Sequence, residues 1–232
     1  MIFPGQSNDE LLDVITTDEL VATANTIAAL QLPNGMIPWY PNGHCDPWNH
    51  VETAMALNIM GRDDAALAAY NWLANNQHED GWWFNYYMPD GTIEDSKLDT
   101  NVNAYIAVGV WTHWLCTRDT SAVHALWPTV RRALNWVLDM RREDGAVIWA
   151  REVDSQPWGY ALLTGCSSIR HALRCGAALA DLGLPMGVLR GVALLARCAG
   201  LLGHLVEEQE NPIGIDVYMS VDRNIDYQPP TA

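Results

Sequence analysis

The spacing of the helical segments constrains the fold of this chain more than any other feature of its sequence. Apolar residues recur at helical intervals in seven stretches, which predicts seven helices. These stretches are residues 18–30, 47–60, 63–76, 99–116, 120–141, 165–182 and 187–208. The connections alternate in length, and the long ones cover 31–46, 77–98 and 142–164. Antiparallel neighbours joined in this way place all long loops at one end, where sites usually lie.

The long connections begin with a repeated pattern. A polar residue ends the helix, a glycine follows four positions later, and an aromatic residue comes soon after. The copies are Gln31-x3-Gly35-x3-Trp39, Gln77-x3-Gly81-Trp82-Trp83 and Arg141-x3-Gly145-x3-Trp149. Glycine ends helices readily because it adopts the left-handed conformation. Three copies in the same phase of the loop alternation predict an all-α chain built from repeated α/α-hairpins.

The charge and composition exclude several classes of protein. The chain has 28 acidic and 13 basic side chains, a formal net charge of −15, which repels phosphate backbones and excludes nucleic acid as a partner. Hydrophobic residues make up 49%, enough for a large core. The most apolar segment, 188–206, is interrupted by Arg190, Arg197 and His204, which predicts a buried helix and no membrane span.

The cysteines and the first residues indicate the compartment. The five cysteines are odd in number and include no CxxC motif, which favours reduced thiols. The segment MIFPGQSNDELL has neither the basic region nor the apolar run of a signal peptide. We therefore expect a cytoplasmic protein, and the motifs predict no cofactor.

A segment of the first long loop concentrates groups suited to catalysis. If a helix begins near Asp46, then Asp46, Asn49 and His50 share one face by their spacing. Asp46 is then a general acid or base with His50 as its partner. A metal held by these two residues, with His44 or Cys45, is a second possibility. A helix cap beside a buried histidine is the third.

A second cluster lies at the next helix that follows a long loop. Asp99 and Asn103 lie one turn apart, and Asn101 and Tyr105 form another such pair. Asparagine is a poor helix former, so function is one reason for its presence here. Carboxylate and amide groups suit sugar hydroxyls, and Asp99 is therefore a third catalytic candidate. Helix capping with solvated polar residues is the alternative.

A third cluster begins the helix after the last long loop. Thr164, Ser167 and Ser168 lie near the start of this helix, and helix starts favour anions. Arg170 adds positive charge, and Tyr160 precedes the cluster. The alternative is a threonine cap with small packing residues. The other candidates for substrate binding are Trp39, His44, Trp48, Asn49, Glu52, Trp82 and Trp83. The acidic pair Glu94-Asp95 is interpreted as a solvated turn.

The helix-end pattern resembles the repeat of terpenoid cyclases and protein prenyltransferases, whose α/α-hairpin architecture is shared by six-hairpin glycosidases. Three stretches are more closely similar to bacterial proteins labelled "prenyltransferase". They are GHCDPWNHVETAMAL (43–57), LDTNVNAYIAVGVWTHWL (98–115) and YALLTGCSSIRHALRC (160–175). The chain departs from those families in lacking their D-x-D-D and D-D-x-x-D motifs.

The resemblance implies a toroid domain over 18–208, between an N-terminal segment 1–17 and an irregular tail 209–232. Six hairpins need more helices than the seven predicted here, so we expect an incomplete toroid. Pairing with a second copy of the chain would close it, which predicts a homo-oligomer.

The resemblance implies a prenyltransferase-like or terpene-cyclase-like protein that binds a prenyl or prenyl-linked substrate. One alternative is a six-hairpin glycoside hydrolase that uses Asp46 and Asp99 as paired carboxylates, or one of them with a carboxylate from hairpins that this chain lacks. The other is a non-catalytic binding module. Whether the protein is an enzyme stays open at this point.

Overall fold

The structure, a computed structural model, describes residues 15–182. Its helices are α1 (Thr17–Leu30), α2 (Pro47–Ile59), α3 (Asp63–Asn76), α4 (Thr100–Ala104), α5 (Ile106–Thr117), α6 (Thr120–Asp139) and α7 (Leu163–Asp181). Its short strands are β1 (Tyr86–Tyr87), β2 (Ile93–Asp95), β3 (Leu98–Asp99) and β4 (Ala150–Arg151). The predicted helix 187–208 and tail 209–232 lie outside the described residues, as does most of the segment 1–17.

The alternation of long and short connections is present across the described helices. The strands lie within the long loops, where β1 pairs with β2 and β3 pairs with β4, both antiparallel. The β3–β4 pair joins the second long loop to the third, with Leu98 opposite Arg151 and Asp99 opposite Ala150. The β3–β4 pair therefore holds these two long loops together at one end of the helices.

The predicted helix 99–116 is divided at Tyr105 into α4 and α5, so this prediction was wrong. The Asn103 side chain donates to the carbonyl of Asp99, and the Tyr105 N–H donates to Val102 O, three residues back. Bonds of this three-residue type tighten the turn and interrupt the regular helix. The Asn103 side chain, one of the polar groups that marked this segment in the sequence, thus bonds the backbone in the turn before the break.

The core lies between α5 and its neighbours, because α5 packs against α2, α3, α6 and α7. Gly109 of α5 allows close packing there: a Cβ atom at this position would lie 2.6 Å from the Tyr70 ring and 2.7 Å from Val51. Within residues 15–182, no helix has both the length and the apolar character needed to cross a membrane.

The helix-end repeat has the same hydrogen bonds in its first two copies. Gln31 Nε2 donates to the carbonyl of Gly35 at 3.0 Å and to that of Ala65 in α3 at 2.9 Å. Gln77 Nε2 donates to Gly81 O at 2.9 Å and to Thr129 O in α6 at 3.0 Å. Each glutamine therefore connects the end of its own helix to another helix. The first two copies of the repeat share these hydrogen bonds as well as their sequence pattern.

The glycines of these two copies adopt conformations that other residues avoid. Gly35 has a φ of +96° and Gly81 a φ of +103°. A Cβ at Gly35 would lie 2.3 Å from Ala68 O, and one at Gly81 would lie 2.4 Å from Arg132 O. The third copy differs, because Gly145 has a φ of +91° with open space around the Cβ position. The glycine turn therefore packs directly against a helix in the first two copies but not in the third.

Candidate active site

Asp46 caps the first helix that follows a long loop. Its side chain accepts hydrogen bonds from the backbone N–H of Asn49 at 3.0 Å and from Asn49 Nδ2 at 2.8 Å. It also accepts one from the Trp39 indole N–H at 2.6 Å. Asp46 is 3% exposed, and Pro47 begins the helix directly after it. Three donors and close packing fix this carboxylate in one position.

Asp99 has the same surroundings at the start of α4. It accepts from the N–H groups of Asn101 at 2.9 Å and Val102 at 3.2 Å, and from the Trp149 indole at 2.5 Å. The ammonium of Lys97 lies 3.7 Å from its carboxylate. Burial raises the pKa of Asp99, and the backbone bonds, Lys97 and the indole act in the opposite direction.

The repeat itself supplies the side-chain donors to these carboxylates. In each copy, the residue four positions after the glycine donates a side-chain N–H to an acid at the same end of the molecule. The pairs are Trp39 with Asp46, Asn85 with Asp95 at 2.7 Å, and Trp149 with Asp99. We find this periodic arrangement at all three long loops.

Tyr86 lies among these acids. Its pKa is raised, first by burial and then by the negative charges of Asp46, Asp95, Glu94 and Asp99. The carboxylates of Asp46 and Asp99 therefore both act on one phenol.

An aromatic cluster with open faces adjoins Asp46. Trp39 is 49% exposed and Tyr40 is 55% exposed. The His44 ring lies 4.9 Å from that of Trp39 and 4.4 Å from that of Tyr86, between centroids. Glu94 Oε2 lies 2.6 Å from His44 Nδ1, so Glu94 orients this ring. Exposed aromatic faces beside a carboxylate suit sugar rings.

The remaining candidates divide between two places. Trp48 stacks on Tyr105 with 3.6 Å between ring centroids, and the charge of the exposed Glu52 contributes to the raised pKa of Tyr105, after burial. Trp48 and Asn101 line a groove shared with α7. Tyr160 is 47% exposed and lies 5.7 Å from the Trp149 ring, between centroids. Arg170 is not among the residues that line this groove, and its Nε is buried.

His50 does not face Asp46 as an acid–base partner, which corrects the sequence prediction. Its Nδ1 accepts from the N–H of Ile37 at 3.2 Å, and its Nε2 lies 2.9 Å from the carbonyl of Ala69. Both ring nitrogens are therefore occupied by backbone groups, and the side chain is 1% exposed. His50 ties α2 to the first long loop and to α3.

Three predicted substrate-binding residues are also structural. Trp82 is 7% exposed and Trp83 is 1% exposed, and the Trp83 indole donates to Leu73 O at 2.8 Å. Asn103 is 1% exposed, and its side chain bonds the backbone of Trp83 and of Asp99. The second copy of the repeat turns Trp82 and Trp83 into the core, and backbone bonds occupy the Asn103 side chain, which corrects the prediction for these three residues.

Sequence reasoning missed Asp95, which was interpreted as part of a solvated turn. It is half-buried, and it accepts hydrogen bonds from Asn85 Nδ2 and from the Lys97 N–H. The signal was the position of Asn85, which lies eight residues after Gln77, as Trp39 lies eight after Gln31. Among residues 15–182, no group of His, Cys, Asp and Glu is arranged to hold a metal.

The burial of His50 predicts a pH-dependent stability. Its pKa is lowered to about 4, chiefly by burial, from an ordinary 6.5. Between these values the unfolded chain binds a proton that the folded chain does not, so stability is full above the unfolded pKa and falls as the pH drops towards about 4. The free energy of unfolding is expected to fall by about 3 kcal/mol over this pH range. Urea unfolding at several pH values measures the fall.

The variants of that experiment separate His50 from other groups. His50→Gln is expected to be less stable at neutral pH and to show a smaller fall in stability on acidification. His124→Gln, at an exposed position on α6, is the matched control and is expected to keep the wild-type slope. Equal slopes for wild type and His50→Gln would show that His50 titrates normally in the fold.

The chain is similar to a known protein in sequence and to a solved structure in fold. No protein-family model matches the chain. It is 42% identical over 196 residues to an "MMP endo-(1,4)-3-O-methyl-alpha-D-mannosidase" of Mycolicibacterium hassiacum, a match that covers 84% of this chain and 52% of that protein. The chain thus spans about half the length of this relative.

A solved structure shows the same fold. The glycoside hydrolase from family 105 of C. acetobutylicum ATCC 824 superposes with a TM-score of 0.61 at 12% identity, over 80% of this chain and 58% of that chain. The predicted all-α, toroid-like fold is confirmed. These matches give no support to the prenyltransferase prediction, and they favour the six-hairpin glycosidase alternative.

Proposed function

We propose that the chain carries the site of a glycoside hydrolase, and that its substrate is an α-linked mannose chain. The observation that carries this proposal is the pair of buried carboxylates, Asp46 and Asp99, each fixed by a tryptophan indole at the long-loop end. The identity with the M. hassiacum mannosidase supports the substrate class.

The two carboxylates are assigned the two roles that glycoside hydrolysis needs. Glycoside hydrolysis needs one acid to protonate the glycosidic oxygen and one carboxylate on the other side of the bond. Asp99 has a raised pKa, so it retains a proton to higher pH and is assigned as the acid. Asp46 is assigned as the base, which takes a proton from the water that attacks the anomeric carbon. The leaving sugar departs with the proton from Asp99.

The aromatic cluster beside Asp46 supplies the binding surface. Trp39 presents an exposed ring face while its indole N–H remains bonded to Asp46. A sugar stacked on this ring lies next to the carboxylate that acts on it. The relative's name specifies a 3-O-methylated mannose, and the apolar faces of Trp39 and Tyr40 suit methyl ethers.

Thermal unfolding with two ligand classes tests this function. A 3-O-methylmannose oligosaccharide at about a hundredfold its Kd is expected to stabilise the protein by about 2.7 kcal/mol, seen as a rise in Tm. A prenyl diphosphate is expected to leave Tm unchanged. A rise in Tm with the prenyl diphosphate alone would contradict the proposal. The absence of a rise in Tm with either ligand would contradict it as well.

A further inference from the structure

An open groove lies beside α7, where the helices α2 and α4 begin. It is lined by residues of the first turns of α2 and α4 and by the first half of α7, and its volume is about 620 Å³. Trp48 and Asn101 relate it to the candidate site, because they lie in the first helical turns that Asp46 and Asp99 cap. A volume of this size falls within the range of small-molecule sites.

The groove offers several polar groups that are free to bind a ligand. The Ser168 hydroxyl donates to Asn101 Oδ1, and the Asn101 Nδ2 has no hydrogen-bond partner in the part of the chain that the structure describes. The hydroxyls of Thr164 and Ser167 form no side-chain hydrogen bond within residues 15–182 either. Hydroxyls and amides both donate and accept, which matches the hydroxyls of a sugar.

The groove also has an apolar surface that is held in place. Trp48 stacks on Tyr105, which leaves the other face of its indole for the groove. Leu163 lies at the edge and is 87% exposed. A flat indole beside amide and hydroxyl groups is the combination that binds the apolar face and the polar edge of a sugar ring.

The residues that line the groove carry no fixed charge. None of them is an acid, a lysine or an arginine, and His171 is the single titratable side chain. Burial, with the neighbouring charges of Arg174 and Arg170, lowers the pKa of His171. The ring is therefore neutral at neutral pH, with one nitrogen that donates and one that accepts. A neutral ligand fits this surface better than an anion.

We propose that this groove is a subsite for a neutral oligosaccharide, which holds the sugars that extend from the bond placed between Asp46 and Asp99. This inference rests on the proposed function, and it makes the enzyme one that prefers longer chains. The sugars in the groove stack on Trp48 and bond Asn101, Ser167 and His171.

Binding of a short and a long sugar measures the subsite directly. Calorimetry with a disaccharide and a longer α-(1,4)-linked 3-O-methylmannose oligosaccharide is expected to show at least about tenfold tighter binding of the longer ligand by wild type. Ser167→Trp fills the groove from an exposed position and is expected to reduce this ratio to about twofold or less. His171→Ala, also at an exposed position, is expected to reduce it about threefold.

The control and the outcomes separate this inference from the proposed function. Asn71→Trp, at an exposed position on α3 outside the groove, is expected to keep the wild-type ratio. Equal affinity of wild type for both sugars, or an unchanged ratio in Ser167→Trp and His171→Ala, would overturn the subsite and leave the proposed function standing. Failure of wild type to bind either sugar would overturn the proposed function, and the subsite with it.

Discussion

Replacement of Asp46 with Asn is expected to lower kcat/KM for an α-mannoside by about 10²- to 10⁴-fold while the fold is retained. Asparagine caps a helix about as well as aspartate, and its oxygen still accepts the N–H of Asn49. The change therefore removes the base and keeps the cap, while the new NH2 group faces the two N–H donors that Asp46 Oδ2 accepted. The measurement is steady-state hydrolysis, with Tm as the check on folding.

Asp119→Asn is the matched control for this prediction. Asp119 caps α6 through the N–H groups of Ser121 and Ala122, but it lies at the opposite end of the helices, next to a short connection. Its replacement is expected to leave hydrolysis unchanged. Activity above half of wild type in Asp46→Asn would remove Asp46 from the mechanism. Full activity in Asp99→Asn would do the same for Asp99.

Replacement of Gly35 with Ala is expected to lower the free energy of unfolding by about 3 kcal/mol. Two costs combine: a left-handed backbone, at about 1–2 kcal/mol, and a Cβ forced against Ala68 O, at about 1–3 kcal/mol. The Ala68 carbonyl is part of α3 and cannot rotate away as a side chain would. Urea unfolding at neutral pH measures the loss.

Gly145→Ala isolates the backbone cost, because it occupies the same position of the repeat with a similar φ and an open Cβ position. Its expected loss is about 1–2 kcal/mol. If the two variants lose the same free energy of unfolding, the contact between the added Cβ and Ala68 O has no measurable cost. That result would contradict the larger loss predicted for Gly35→Ala.

The sequence predicted those parts of the fold that depend on local patterns. Apolar spacing located α1, α2 and α3 to within one residue at each end, and in α2 and α3 the apolar positions form a buried face. The repeat located the long-loop end. The break at Tyr105 was missed because it depends on the Asn103 amide bonding the carbonyl of Asp99, a choice that helical periodicity does not encode.

The sequence identified the two carboxylates of the candidate site, but it did not show which side chains contact them. Asp46 and Asp99 were recognisable because acids before a helix are capping residues at an end where loops are long. The bond from Trp149 to Asp99 joins residues fifty positions apart, so only the packed loops reveal it. His50 and Trp83 were misassigned because a sequence does not show which polar atoms are already bonded to buried backbone groups.

Fluorescence or calorimetry cannot distinguish a sugar-binding protein from a hydrolase, but the products can. Incubation of the wild-type chain with the 3-O-methylmannose oligosaccharide, followed by mass spectrometry, tests the central claim most directly. We predict shorter oligosaccharides with new reducing ends from wild type, and none above background from Asp46→Asn. An intact oligosaccharide after incubation with a wild-type chain that binds it would contradict the assignment of this site as hydrolytic.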